Sequence, residues 1–443
     1  MTSGEPIWRA GVPVREYERP AGRRLHADVA VIGGGFAGLS AAYHVLRRRP
    51  GSRVIVLEAE QVGAGASGRT TGMLGPGVGQ SLPALVKRHG RARARALYAA
   101  TLRAVEGVAT LVADERIACD FEMTGQLVVA RSTGGRGRVA AIARLLAELE
   151  LPGDVLDDDA LDRTIRIAPA ARAEGSGPAA LRLPIAGTLH PLRLVRGLAE
   201  SVGERGGTIF ERARVTRIGH EIPVRLELED GAVVTADRVV LATAGYTPSL
   251  GVFHGRVLPV HLQVVATEPL GERARDALGW KGREGVLDSR RVFNYFRLTT
   301  DDRIVFGGGR PRYQWGGLAE SPSSGARALD ALTRELERTL GWDLGLRVTH
   351  GWTGVIGYVA DALPAIHRLT DRPAVLHAVG WCGHGVALSI ASGAWVAAML
   401  GDGAAPEDLP WFRTDPPLVP FEAIRWAAFR GSVGMMSLLD RVA

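Results

Sequence analysis

The chain has 443 residues, 46% hydrophobic and 23% charged, which suits two or three domains around a large core and excludes disorder over most of its length. Its two cysteines, Cys119 and Cys382, exclude a disulfide framework and a cysteine-rich zinc centre, and no metal site is expected. A net charge of +7 raises nucleic acid as a partner, yet all the basic residues except Lys87 and Lys281 are scattered arginines, and the densest run (Arg88, Arg91, Arg93, Arg95) has no interleaved aromatics, so it reads as a solvated helix face and no nucleic-acid partner is expected.

No run of roughly 18 apolar residues argues for a membrane-spanning helix. The first residues (MTSGEPIWRAGVPVREYERP) lack the apolar stretch of a signal peptide. A reduced, cytoplasmic protein is the expectation.

Taken in order, residues 28–32 (DVAVI) read as a buried strand that runs into Gly33-Gly34-Gly35-Phe36-Ala37-Gly38. A helix follows, with Leu39, Ala42, Tyr43 and Leu46 on one face, and then a second strand at 53–57 that ends at Glu58. Helices are predicted at 91–118, 136–150, 191–205, 326–340 and 385–400. Strands are predicted at 123–130, within 208–218, at 224–229, 238–243 and 374–380, and an antiparallel sheet within 256–267 and 290–309. Residues 401–417 read as a linker, and 421–441 as a final apolar helix.

The first motif meets three requirements of a dinucleotide site. Gly33 permits the tight turn out of the strand, Gly35 lets backbone N–H groups approach a pyrophosphate, and Gly38 lets the helix lie close to the strand. The helix N-terminus adds unpaired donors and a positive dipole end. Glu58, 20 residues after Gly38, is placed to accept from ribose hydroxyls.

Three later segments carry a resemblance. Residues 62–72 (VGAGASGRTTG), 239–245 (VVLATAG) and 380–386 (GWCGHGV) resemble the glycine-rich loops of FAD-dependent oxidoreductases of the D-amino-acid oxidase family. IACDF at 117–121, LHPLRLVRGLA at 189–199 and YFRLTTDDRIVFGGG at 295–309 also match, so the likeness runs in order over about residues 25–400. Within the family, the chain is most similar to the gamma-glutamylputrescine oxidase-like amine oxidases, including the tail from Pro416 to Arg441.

The resemblance implies an α/β fold: a two-dinucleotide-binding-type, glutathione-reductase-like FAD domain from 25–90, 186–255 and 347–402, an antiparallel-sheet substrate domain from 91–185 and 256–346, and a helical tail at 403–443. It implies non-covalent FAD held by Gly33, Gly35, Phe36, Ala37, Gly38, Glu58 and Ala59, then by Ser67, Gly68, Arg69, Thr70, Thr71 and Gly72. Val215, Thr243, Ala244, Gly245, Gly354, Gly383, His384, Gly385 and Val386 complete the set. The N-terminus of the last core helix would face the flavin and stabilise negative charge there. The early loop has no histidine, and 351–366 has no cysteine, so the usual covalent anchors are missing.

Residues 351–366 also hold no arginine for a substrate carboxylate, which favours an amine over a simple α-amino acid. Candidate catalytic residues are His261, Tyr295 and Trp352 as pocket walls, with Arg297 for a more distant carboxylate. The expected reaction is hydride transfer from a C–N carbon to the flavin, followed by imine hydrolysis, with oxygen or another electron acceptor. An amino-acid or N-methyl-amino-acid dehydrogenase is the rival reading, and a macromolecular substrate a more distant one. The apolar tail helix (Phe421, Ile424, Trp426, Phe429, Val433, Met436), with Arg425 and Arg430, suits weak membrane-surface contact as well as packing on its own domain or a second subunit.

Overall fold

The computed structural model describes residues 2–13, 15–168, 175–318, 322–341, 344–401, 403–405 and 407–442. Two sheets organise the chain. In the first, the parallel strands Thr208–Phe210, Val54–Leu57, Arg24–Ile32 and Val233–Leu241 lie side by side. The free edge of Val233–Leu241 is shared: its first half pairs antiparallel with Val224–Leu228, and its second half pairs parallel with Val375–Val379. Such strands are buried on both faces, hence the unbroken apolar runs VAVI and VIVL.

The helices Phe36–Arg48, Arg91–Asp114, Pro191–Glu204 and Gly385–Gly401 belong to one core, in which Leu39, Tyr43, Val105, Leu194 and Val396 are fully buried. The helix Arg91–Asp114 is long and apolar enough to cross a membrane by length and composition, against the expectation that none would be. Half of that apolar stretch is buried within the protein. Its first turns hold Arg91, Arg93 and Arg95, paired with Glu148, Asp408 and Glu150, so the arginine run is a face of ion pairs.

The second sheet has nine strands, mostly antiparallel. Its order is Thr2–Ser3, Val348–Tyr358, Leu258–Pro269, Arg303–Tyr313, Tyr295–Leu298, Gly285–Asp288, Gln126–Val129, Ala180–Leu183 and Asp154–Leu156. One face packs on the helix Pro322–Leu340 through Val265, Phe296, Phe306, Leu332 and Leu336. The opposite face carries Val264, Ala266, Val305 and Trp352 into the core of the first sheet. Val348–Tyr358, assigned from the sequence to the cofactor-binding segments, is thus a strand of the antiparallel sheet, and the N-terminus adds a short parallel strand to its edge.

The described residues of 401–417 are not a free linker. Trp411 is fully buried and stacks on Trp395 at 5.6 Å, and its carbonyl accepts from Ile366 N–H. The final helix Glu422–Val442 packs Phe429 and Val433 on Leu258, Val260 and Tyr313. Its other face exposes Ile424, Met435 and Leu438, and Phe421, just before it, is exposed as well. Arg425 is buried and spent on Glu422 and the Val419 carbonyl, so it is not available to a membrane surface.

Candidate active site

The first glycine loop follows the strand Arg24–Ile32. Gly33 turns with φ +110°, and a Cβ there would lie 2.7 Å from the Ala242 carbonyl oxygen. A Cβ on Gly38 would come within 2.0 Å of the Gly33 carbonyl oxygen, and one on Gly35 within 2.8 Å of Ser67 Oγ. The loop is therefore a cradle that side chains would fill, as close approach of a pyrophosphate requires. Gly35 caps the helix Phe36–Arg48, whose first turn includes Ala37 and Gly38.

Ser67 joins the two loops, because its hydroxyl accepts from Phe36 N–H at 3.0 Å. Glu58 closes the cradle: one carboxylate oxygen accepts from Gly34 N–H at 2.7 Å and the other from Glu60 N–H at 2.9 Å, with Ala59 in the bend between. Burial raises the Glu58 carboxyl above its usual range, and the two amides pull it back.

The second loop is held by its carbonyls. Trp352 Nε1 donates to Arg69 O at 2.8 Å, Trp8 Nε1 to Thr70 O at 2.8 Å, Arg297 Nε to Thr71 O at 2.8 Å, and Leu189 N to Gly72 O at 2.8 Å. A trans peptide points its N–H opposite to its C=O, so the N–H groups of Thr71 and Gly72 are turned away from these anchors. Gly72 has φ +78°, and a Cβ there would sit 2.1 Å from the Leu189 carbonyl oxygen. Gly68 is equally constrained, at 2.2 Å from the Gly63 carbonyl oxygen.

Two arginines are used differently from the sequence expectation. Arg69 turns its guanidinium to the carbonyls of Ala64 (2.9 Å) and Thr353 (3.1 Å), with its Cβ against Gly354, and its own N–H donates to Ala66 O at 3.1 Å. Arg297 is buried and donates to three carbonyls: Thr71, Leu189 at 2.7 Å and Leu298 at 3.1 Å. Burial lowers its pKa to about 10, which leaves it charged at neutral pH. The carboxylate-clamp expectation gives way here to a structural role, because main-chain oxygens occupy both edges of the fork.

The remaining cofactor candidates lie on other elements. Thr243 caps the short helix Ala244–Leu250, and Gly245 lies so close to Ile356 that a Cβ would meet its carbonyl oxygen at 2.7 Å. Val215 begins the strand Val215–Ile218, which ends the first sheet by pairing antiparallel with Val224–Leu228, its side chain in the core. Gly383 is exposed, and His384, Gly385 and Val386 half-buried, where the helix Gly385–Gly401 begins. His384 Nδ1 lies 3.3 Å from the Cys382 carbonyl oxygen, and burial lowers its pKa, which favours the neutral ring. Burial pushes the Cys382 thiol up to about 12, and the S–H donates to Gly380 O at 3.3 Å.

The candidate catalytic residues divide by strand parity. Side chains alternate across a sheet. Trp352 pairs with Val264 and Tyr295 with Gly307, on the face toward the glycine loops. His261 shares its parity with Gln263 and Val265, the face that packs on the helix Pro322–Leu340, so it is not brought to the loops. Trp352 is fully buried and anchors Arg69, so it is not a pocket wall. Of the three on that face, Trp352 and Arg297 are buried and Tyr295 is half-buried, with a phenol that burial pushes up to about 12.

Phe293 and Ile356 were missed. Phe293 lies 5.8 Å from the Tyr295 ring and 6.3 Å from His384, and Ile356 Cδ1 is the nearest atom to the Cβ position of Gly383, at 3.9 Å. The only sequence signal was aromatic content near the Tyr-Phe-Arg strand.

Comparison with known proteins agrees with the cradle. Over residues 28–399 the sequence matches the DAO family, described as FAD dependent oxidoreductase. It is 30% identical to the probable oxidoreductase OrdL of Haemophilus influenzae over 387 residues, 85% of this chain and 84% of that protein. It is 29% identical to gamma-glutamylputrescine oxidoreductase of Escherichia coli over 389 residues, again 85% of this chain and 84% of that protein. Glycine oxidase from Geobacillus kaustophilus shares the fold at a TM-score of 0.74 and 19% identity, covering 90% of this chain and 100% of that one. The family match runs through both sheets and every glycine turn described above, and the chain therefore belongs to the DAO family of FAD dependent oxidoreductases, enzymes that act on the CH–NH groups of amines and amino acids.

Proposed function

We propose that the chain oxidises a C–N bond of a small primary or secondary amine and not of a simple α-amino acid. The observation that carries this reading is the Arg297 guanidinium, whose three donor bonds go to the carbonyls of Thr71, Leu189 and Leu298. Arg69 is likewise spent on main-chain oxygens, so neither arginine of this region offers the bidentate fork that a carboxylate beside the reacting carbon requires. Similarity to a gamma-glutamylputrescine oxidoreductase supports the same class.

FAD, when bound, would supply the two-electron acceptor for hydride from the carbon bearing nitrogen, and water would then convert the imine to an aldehyde and a free amine. The residues that would hold it are the Gly33–Gly38 cradle and its helix N-terminus at the pyrophosphate, Glu58 at the ribose, and the Thr71 and Gly72 N–H groups with the start of the helix Gly385–Gly401 at the ring. We infer that the attachment is non-covalent, because the Cys382 thiol is buried, protonated and bonded to Gly380 O, and 67–72 holds no histidine. Tyr295 is protonated and His384 is drawn to the neutral form, so the wall presents no fixed charge to an amine that must itself be neutral to react. The aromatic rings of Tyr295 and Phe293 suit a second, cationic group by cation–π attraction. Lys87 and Lys281 are both exposed and lie outside the flavin loops, and the electron acceptor is oxygen or another oxidant. The cytoplasmic location read from the sequence belongs to the same proposal.

The test is the visible spectrum of the purified holoprotein, followed anaerobically as amines and amino acids are added. Bleaching by a polyamine derivative and not by D- or L-amino acids supports the proposal. Bleaching by amino acids alone overturns it in favour of the amino-acid dehydrogenase reading.

A further inference from the structure

The hairpin loop between the strands Gly285–Asp288 and Tyr295–Leu298 is clamped at almost every residue. Asp288 N–H donates to Asn294 O at 2.9 Å and Ser289 N–H to Val129 O at 2.8 Å. The Arg290 guanidinium reaches Asp288 and, at 2.9 Å, Glu335. Asn294 receives Gly309 N–H at 2.9 Å and donates to Glu335 at 3.3 Å.

Two further amides are held from far away in sequence. Arg291 N–H and Val292 N–H both donate to the Asp440 carboxylate, at 2.9 Å and 3.0 Å. Asp440 sits near the end of the C-terminal helix, its side chain only 6% exposed, with the guanidinium of Arg291 also at 3.4 Å. The other end of that helix is fixed by Glu422, which accepts from Tyr313 Oη at 3.0 Å and Gly316 N–H at 3.1 Å. The next residue in the loop is Phe293, whose half-buried ring is the part directed at Tyr295 and His384.

We propose that Phe293 is a specificity-determining wall of the substrate site and that Asp440 is the positioning residue that sets it. Two successive amides on one carboxylate fix the peptide planes leading into Phe293, so the C-terminal helix defines where the ring stands against the flavin loop at His384. A buried carboxylate spent on backbone N–H groups gives strong, charge-assisted bonds of fixed geometry. This inference rests on the amine-site reading above for the location of the substrate.

The experiment compares Phe293→Ala, Asp440→Ala and Asp440→Asn in the FAD-loaded enzyme. Phe293→Ala and Asp440→Ala should each raise KM by about tenfold with kcat within about threefold, the loss of one desolvated aromatic contact to a cation. Asp440→Asn, which keeps one acceptor oxygen, should recover part of the rise. The double variant should be no worse than Phe293→Ala alone, because both act through one ring. Binding of tetramethylammonium, read from perturbation of the flavin spectrum, should weaken in the same order. FAD affinity, read by fluorescence, should stay unchanged because both glycine loops are untouched. If Asp440→Ala does not fold, Asp440→Asn and Phe293→Leu carry the same comparison. A KM unchanged in Phe293→Ala or in Asp440→Ala, or a double variant whose losses add fully, overturns the proposal. If amino acids turn out to be the reductants, the amine reading falls, and the KM order among these variants with that amino acid decides this inference separately.

Discussion

The indole N–H of Trp8 donates to the carbonyl of Thr70 at 2.8 Å across 62 positions of sequence. Trp8 is 2% exposed, its indole stands edge-on to His190 at 5.0 Å, and Arg297 lies over its ring at 5.1 Å. The N-terminal segment thus buttresses the second glycine loop, although it precedes the first glycine motif.

Trp8→Phe keeps an aromatic ring but removes the donor together with part of the indole's packing. The Thr70 carbonyl then loses its partner in a partly buried site, a loss of about 1–3 kcal/mol. The expected outcome is an FAD dissociation constant raised by about tenfold or more, with KM at saturating FAD changed by less than about twofold. Fluorescence titration of apoprotein with FAD checks it; unchanged affinity would show that the bond does not hold the loop.

Arg297→Met tests the structural role against the carboxylate clamp. Three carbonyls lose their donor at once, and the expected result is a protein destabilised by about 3–5 kcal/mol that purifies with little FAD. A variant that retains its FAD and folding but shows a raised KM for an acidic substrate alone would restore the clamp. Denaturant midpoints beside the flavin-to-protein absorbance ratio separate the two.

The glycine loops were legible because backbone geometry leaves no choice there: Gly33 needs a positive φ, and Gly38 has no room for a Cβ. The longer helices were legible from their apolar period, whereas the short ones Leu82–His89, Asp158–Thr164 and Glu272–Leu278 span too few turns to show one and were not predicted. The strand Val348–Tyr358 was not, since glycines at 351, 354 and 357 argue against a strand. Their reason is tertiary: Gly354 lies against Arg69 and Gly357 against Ala244, so the strand is thinned to admit both loops. The misplacement of His261 has a different origin. VLPVHLQVVAT is apolar on both faces because both are covered, and nothing in such a pattern says which parity looks toward the cofactor. Anchors such as Trp8 to Thr70, or Asp440 to Arg291, join distant segments and leave no local trace.

Gly35→Ala is expected to weaken FAD binding through a collision with Ser67 Oγ at 2.8 Å. The obstacle is a side chain, so Gly35→Ala combined with Ser67→Gly should regain part of the affinity. Gly38→Ala meets the Gly33 backbone at 2.0 Å and should yield protein without FAD that no second-site change at Ser67 repairs. FAD titrations of the three variants check the order.

Cys382 supplies a test of the attachment. With its thiol bonded to Gly380 O and pushed up to about 12, it is a poor nucleophile at neutral pH. Acid precipitation of the holoprotein should therefore leave the yellow colour in the supernatant, and a yellow pellet would refute the non-covalent reading.

His190 links the cradle to pH. Its Nδ1 accepts from Arg193 N–H at 3.2 Å and so caps the helix Pro191–Glu204, while its neighbour Leu189 holds Gly72 and Arg297. Burial, with Arg193 and Arg297 nearby, lowers its pKa to about 4 from an ordinary value of 6.5. The folded state therefore favours the neutral ring, and this stability is fully present above about pH 6.5 and lost as pH falls toward 4, where the unfolded chain takes up the proton first. The full effect is at most about 3 kcal/mol. His190→Asn, a capping residue that does not titrate, should flatten the acid side of the urea-midpoint profile between pH 6.5 and 4.5 relative to the parent. His44 and His377, also lowered to about 4, remain in both proteins, so the difference between the two profiles isolates His190. Protonation would also break the cap beside the Gly72 anchor, so FAD release on acidification should begin at lower pH in His190→Asn. Parallel profiles in the two proteins would place the acid sensitivity elsewhere.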